Sequence, residues 1–336
     1  MVQFVVSVQG ATAQGNAWRH IGSRAESALR RSLYTETALT AENGGAQALL
    51  LRLPGDGHPA QALQHPFDPL LLAGALTVET RQLRLIVDVD AVSEQPYNVA
   101  RQLASLDHIS EGRAGWLLRA DADPVAARRL AEFVSVVRSL WSSWPTESII
   151  IDPVAGVLTD RSRVVPPAHH GEFFDVAGIL NVPQPPSGSP PLTVDLGDLD
   201  ESHTALPLLG LADSIVLPAH AHRARAVLSG VRSAGVTVPA LLPVAVDLLD
   251  ETRANRVADQ LISIPQETSP QPPTAPAGLP IRGSLRAVVD TLAGWLADGV
   301  DGFVLTPGLT PSSILDVLTA VHPLLAGAPI PTEVIR

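Results

Sequence analysis

Between Phe67 and Trp116 the hydrophobic pattern changes its period three times within one short stretch. Phe67 to Thr80 is an apolar run at helical spacing, with Leu70, Leu71, Ala73, Ala75 and Leu76 giving a wide face for burial. Leu83 to Val89 then reads as a β-branched strand, after the turn residues Arg81 and Gln82. Ser93 can cap the next helix, and Pro96 falls in its first turn, where a missing N–H costs nothing. Val99, Leu103 and Leu106 return at helical spacing, Gly112 stops the helix, and Ala114 to Leu118 makes a second strand. A strand–helix–strand unit of this length argues for parallel strands joined by a right-handed crossover.

The rest of the chain repeats that alternation. Gln3 to Val8, Ala46 to Leu53, Leu192 to Leu196, Ser214 to Leu217, Ala240 to Val246 and Gly302 to Leu305 read as further strands. Helical patterns cover Ala25 to Asn43, Val125 to Trp141, Ala219 to Ala234, Ser284 to Ala297 and Ser312 to Leu325. Eight strands alternating with helices favour an α/β fold of the (β/α)8 TIM-barrel type over an open doubly wound sheet. The reading is one barrel domain over 1–336. Residues 145–191, rich in Pro and Gly, form an inserted arm or hairpin after the fourth strand–helix unit, and 265–281 a Pro-rich loop.

Two runs carry a resemblance: Glu94-Gln95-Pro96-Tyr97-Asn98-Val99-Ala100-Arg101 and Leu106-Asp107-His108-Ile109-Ser110-Glu111-Gly112-Arg113-Ala114-Gly115-Trp116. At this spacing the chain resembles the bacterial luciferase-like flavin monooxygenases, most closely their nitrilotriacetate/dibenzothiophene-sulfone monooxygenase branch. Glu132-Phe133-Val134 through Trp144, His169 through Val176, and Trp295 through Phe303 are similar to later parts of the same branch. The resemblance implies a luciferase-like TIM barrel that takes reduced FMN at the C-terminal strand ends. A separate flavin reductase would supply the electrons, a small organic molecule would be the substrate, and the chain would form a homodimer. By position, it places cofactor contacts at Ala91, Tyr97, Leu117, Asp121, Gly197 and Asp198, and a substrate pocket at Trp18, His20 and Phe303. It names no catalytic residue, since the flavin would carry the hard chemistry.

Several strand tips depart from the family pattern. Arg52-Leu53-Pro54 stands where an acidic residue is usual, and Asp90-Ala91-Val92 where hydroxyl residues are usual. The family's Asn-x-x-Thr-Ser becomes Leu117-Leu118-Arg119-Ala120-Asp121, and its tyrosine in the following helix aligns with Ala127. The loop that would cradle phosphate reads Asp195-Leu196-Gly197-Asp198. A desolvated carboxylate facing a phosphate dianion is repulsive by several kcal/mol. These departures point to eroded flavin anchors. Two alternatives follow: a non-catalytic barrel that binds another ligand or a protein partner, or a metal-assisted hydrolase. Asp88, Asp90, Asp121, Asp195 and Asp198 could gather at one mouth as an acidic pocket for a cation. His220-x-His222 follows the sixth strand, but no further ligand set is spaced to complete it, so the reading names no metal residue.

Structural readings stand beside these. Tyr97 can pack beneath the sheet and Arg101 pair with an acidic neighbour. Asp107 and His108, adjacent on a helix, do not face each other. Composition narrows the partners: 23 basic against 34 acidic residues leave a net charge of −11, which disfavours nucleic acid and anionic membranes. With no cysteine, thiolate metal sites and cysteine nucleophiles are excluded. No charged leader opens the chain and no run reaches membrane-spanning length, so a cytoplasmic location is expected.

Overall fold

The computed structural model describes residues 2–8, 27–53, 66–197, 199, 203–248, 278–306 and 313–325. Eight parallel strands close into a ring: β1 (Gln3–Val8), β2 (Ala48–Leu51), β3 (Arg84–Asp88), β4 (Ala114–Arg119), β5 (Leu192–Asp195), β6 (Ser214–Val216), β7 (Ala240–Leu248) and β8 (Gly302–Thr306). The ring shuts where β8 pairs with both β7 and β1, with Gln3 opposite Gly302 and Leu241 opposite Gly302. Gly302 is required at this crossing, because a Cβ would come within 2.3 Å of the Gln3 carbonyl. Leu279–Gly283 adds parallel to the tip of β7 without joining the ring, so the end of the Pro-rich 265–281 segment is a strand and not a loop.

The helices α1 (Arg31–Asn43), α2 (Pro69–Thr77), α3 (Pro96–Ile109), α4 (Pro124–Ser142), α5 (Ala221–Ser233) and α6 (Leu285–Ala297) surround the ring. Local chemistry starts them. Asp68 accepts from the Leu71 N–H ahead of Pro69, and Asp123 from the Ala126 N–H ahead of Pro124. The reading of Ser93 as a cap does not hold. The residue before a proline is pushed to extended geometry, so Gln95 is the N-cap of α3, and the Ser93 hydroxyl donates to Asp90 instead. The helix faces and the outward strand residues share one apolar layer. Within it the Trp116 and Trp141 rings meet edge to face at 5.7 Å. No helix among the described residues is long and apolar enough to cross a membrane.

The N-terminal end of the ring is tied by polar side chains. Asp107, fully buried, accepts from the N–H groups of Ala114 (3.1 Å) and Ser187 (2.8 Å). Arg113 donates to the carbonyls of Thr77, Leu83 and Ser110 and to the Thr80 hydroxyl, which joins the ends of α2 and α3. Gly112, at φ +84°, makes the left-handed turn from α3 into β4. The Trp116 indole donates to the Pro190 carbonyl at 3.0 Å, anchoring the end of the arm. Within the arm, Ile149–Asp152 pairs antiparallel with Val157–Thr159, and His169–His170 with Asp175–Val176.

Candidate functional site

In a parallel barrel any ligand site lies where the strand tips converge at the C-terminal end. Strand alternation decides which side chains point there. Val5, Leu50, Ile86, Leu117 and Val304 belong to an apolar plug inside the ring. Two residues further along the same strands come Ser7, Arg52, Asp88, Arg119 and Thr306, joined on β5 and β7 by Asp195 and Asp247.

This upper layer pairs its charges internally. Arg119 Nη2 lies 2.5 Å from Asp88 Oδ2 and 3.3 Å from the Leu53 carbonyl. Arg52 Nη1 donates to Asp195 Oδ2 at 2.6 Å. Strands β3 and β4 lie between β2 and β5, so this second bond spans the mouth. Arg282 Nε stands 3.6 Å from Asp247 Oδ2. Burial pushes the Asp88 carboxyl above its ordinary value, against the opposing pull of Arg119 and Arg52. Its Oδ1 and the Ser7 hydroxyl, both buried, have no hydrogen-bond partner among the described residues.

The acidic cluster suggested by the sequence therefore does not form as such. Asp88 and Asp195 are neutralised by arginines, while Asp90 and Asp121 shape turns. Asp90 accepts from the Val92 N–H and the Ser93 hydroxyl and N–H, and Asp121 from the Asp123 N–H. Burial works to raise the Asp90 carboxyl, but the Ser93 and Val92 donors outweigh it and hold the group below its ordinary value. Among the described residues no three His, Asp or Glu side chains meet in a way that could hold a metal ion. His169 and His170 bond instead to Glu132 and Asp175, each at 3.0 Å.

The residues singled out for cofactor and substrate are scattered. Leu117 is buried in the lumen plug, and Ala91 is buried with its carbonyl accepting from Arg129. Tyr97 is half-buried against the outer apolar layer, and Asp121 is exposed. Gly197 gives its N–H to Asp195 Oδ1 at 2.9 Å. Phe303 faces away from the lumen, fully buried with its ring 5.8 Å from Phe4. Trp18, His20 and Asp198 lie outside the described residues. Arg101 makes no ion pair among the described residues, whereas His108 approaches the Pro183 carbonyl and Asp107 turns inward to the backbone. The sequence reading missed Arg52 and Arg119 as counterions. Counting in twos from Leu50 and Leu117 would have found them on the lumen side.

Comparison with known proteins decides the lineage. Residues 19–197, more than half of the chain, match the model of the luciferase-like monooxygenases. The chain belongs to that family. N-acetyl-S-(2-succino)cysteine monooxygenase of Bacillus subtilis (strain 168) is 31% identical over 194 residues, 52% of this chain and 43% of that protein. One of the subunits of pristinamycin IIA synthase, from Streptomyces pristinaespiralis, is 37% identical over 161 residues, 48% of this chain and 56% of that protein. The chain thus spans about half the length of the curated relatives it matches. Among solved structures, the long-chain alkane monooxygenase aligns over 97% of this chain and 91% of its own, at TM-score 0.79 and 18% identity. DmoA from Hyphomicrobium sulfonivorans aligns over 97% and 88%, at TM-score 0.77 and 22% identity. At these identities the structural likeness speaks for the barrel alone.

Proposed function

We propose that this luciferase-like barrel no longer seats FMN in the family manner and serves as the flavin-free partner of a flavin-holding barrel. The observation that carries this reading is the Arg52–Asp195 bond across the mouth, with Arg119–Asp88 beside it. A flavin ring at the strand tips needs an open slot there, and two guanidinium–carboxylate pairs fill it. Opening either pair strands a buried charge, at about 3–5 kcal/mol. The phosphate fares no better. The Gly197 N–H already donates to Asp195, whose carboxylate would face the dianion. The residues at the tips therefore do not fit FMN.

A partner role has its own support. Helix α2 has no polar face, and Leu71 and Val78 on and beside it stay exposed. Such a helix is suited to packing on both sides. Two different subunits of pristinamycin IIA synthase are similar to this chain, the one described above and another that is 27% identical over 207 residues. In this reading the flavin reductase and the small organic substrate belong to the partner barrel.

A second reading keeps the chain as an FMN-dependent oxygenase with a rebuilt seat. What favours it is that both guanidiniums reach the mouth and remain partly exposed, so an anionic group could displace their carboxylates. Titration with oxidised and reduced FMN, followed by flavin fluorescence, separates the two. The first reading expects no binding of either form up to about 100 μM, some 5–6 kcal/mol of affinity by the usual conversion. Low-micromolar binding that Arg52→Ala weakens tenfold or more would establish the second reading in its place.

A further inference from the structure

Outside the ring, between the tips of β2 and β3 and the facing sides of α2 and α3, lies a cavity of about 60 Å³. Much of its wall is apolar, from Leu70 of α2, Val87 of β3, and Val99 and Leu103 of α3. Four acidic residues line it too: Asp68, Asp88, Asp90 and Glu94. They differ in depth. Asp88 is only 4% exposed, Glu94 is half-buried, and Asp68 and Asp90 are exposed. The lining therefore grades from a buried acid, past methyl groups, to an acidic rim. Of the paired side chains at the mouth only Asp88 belongs to it.

Two of these acids have bonding capacity that the fold leaves unused. Asp88 engages Arg119 and the Leu53 N–H through Oδ2, while its buried Oδ1 has no hydrogen-bond partner among the described residues. A buried acceptor of this kind calls for a donor. Glu94 makes neither a side-chain hydrogen bond nor an ion pair among the described residues. Asp68, by contrast, caps α2, and Asp90 organises its own turn. Arg119 offsets one of the four charges, so the lining stays net negative and attracts cations. A metal ion does not suit it, since no three acidic side chains converge among the described residues. Water does not suit it either, because each molecule wants two to four polar partners and the walls between the acids offer methyl groups.

We propose that this cavity binds a linear α,ω-diammonium ion of four or five carbons, with one ammonium on Asp88 Oδ1 and the other at Glu94. The match is made part by part. An ammonium carries three donors and no acceptor, which suits an unpaired carboxylate oxygen. Burying it costs hydration, and the surplus carboxylate charge offsets that cost. The methylene chain packs on Leu70, Val87, Val99 and Leu103, as the stem of a long cationic side chain does on an apolar surface. The second ammonium stays in water at the rim, where Glu94 carries an uncommitted charge. Size agrees as well. At about 10–15 Å³ for each water-sized group, 60 Å³ holds roughly four to six heavy atoms, enough for one nitrogen and four carbons. A quaternary ammonium fits less well, because no aromatic ring lines the cavity and it would bring Asp88 no donor.

Calorimetric titration of the full chain with 1,4-diaminobutane at low ionic strength tests the proposal. The wild type binds it with a dissociation constant below about 1 mM. Butylamine lacks the second charge and 1,2-diaminoethane lacks the reach, so each binds about tenfold more weakly, and 1,4-butanediol does not bind. Glu94→Gln lowers the affinity for the diamine about tenfold, Asp88→Asn lowers it further, and Val99→Phe, which fills the cavity, abolishes binding. Circular dichroism reports the fold of each variant, and Glu94→Gln, at the rim, keeps the test decisive if a buried variant unfolds. No binding of the diamine up to about 10 mM would overturn the proposal. So would equal affinity for 1,2-diaminoethane, or a Glu94→Gln protein that binds as the wild type does. The titration contains no flavin, so this proposal and the reading of the mouth fail separately.

Discussion

Asp107 and Asp88 are both buried carboxylates, one at the N-terminal end of the barrel and one at the C-terminal end. Asp107 gives each oxygen a backbone N–H from a different segment, Ala114 and Ser187. Asp88 crowds Arg119 and the Leu53 N–H onto one oxygen and leaves the other without a partner among the described residues. The contrast extends to their surroundings. Around Asp107, Arg113 saturates the ends of two helices, whereas around Asp88 charge is matched by charge. At the first end Asp107 and Arg113 bond to backbone groups of several segments. At the second, charged groups compensate one another.

The difference also explains what the family resemblance means physically. Its most specific run, Leu106 to Trp116, contains Asp107, Gly112, Arg113 and Trp116, all of which tie the N-terminal end. That run reports how the barrel is closed. It says nothing about the opposite end, where chemistry would sit.

The sharpest way to break the comparison is to remove Asp107. Asp107→Ala strands the buried Ala114 N–H, releases the part-buried Ser187 N–H and empties the space of a buried carboxylate, and lowers unfolding free energy by about 4 kcal/mol. Urea denaturation would read this, and a loss below about 1 kcal/mol would show that the framework end is no better satisfied than the mouth. At the other end, Arg119→Met alone leaves Asp88 charged and buried, and costs about 3 kcal/mol. The double variant Arg119→Met/Asp88→Leu replaces the pair with apolar volume and stays within about 1 kcal/mol of wild type. If the double variant is as damaging as Asp107→Ala, the mouth is part of the framework after all.

How much of this was legible in the sequence follows from the same geometry. The eight strands could be read because each apolar run is short and bounded by turn residues, from Gln3–Val8 to Gly302–Thr306. The Asp107–Ala114 bond lies within reach of local reasoning, since the two residues are seven positions apart, whereas Asp107 meets Ser187 and Arg113 meets Thr77 only once the barrel has folded. The Arg52–Asp195 bond joins residues 143 positions apart and exists only once β2 and β5 face each other across a closed ring. Aspartates at strand tips looked like free acid because their counterions come from other strands. Exposed apolar residues on the 149–159 hairpin carry no periodic signal, so no pattern in the arm announced their exposure.

Acidity offers a finer test, because the two ends have opposite signs. At the N-terminal end, burial works to raise the Glu42 carboxyl, but the N–H groups of Gln82, Leu83 and Arg81, with Arg113 nearby, hold it below its ordinary value. A depressed folded pKa supports stability above the unfolded value and withdraws that support as pH falls. Asp88 is raised, so its contribution is fully present below the unfolded value and is lost as pH rises through the folded one. Stability measured across the carboxylate range should therefore show Glu42→Gln closing on wild type toward acid. Asp88→Asn should gain on wild type toward neutrality. Slopes of the same sign for the two variants would erase the distinction between the ends.

The smallest expected effect lies at Asp90, two residues beyond Asp88 and on the exposed side of the mouth. Its carboxylate organises only the turn that leads into α3, through the Val92 N–H and the Ser93 hydroxyl and N–H. Asp90→Ala removes those bonds where water can replace them, so the loss is about 1 kcal/mol or less. Asp90 makes no hydrogen bond to Arg119 or Asp88 and feels only the nearby Arg119 charge, so its effect should add to that of the Arg119→Met/Asp88→Leu variant within about 0.5 kcal/mol. A coupling well above that in a double-mutant cycle would mean that the turn and the ion pairs form one cooperative unit. The mouth would then be held together as tightly as the end that Asp107 anchors.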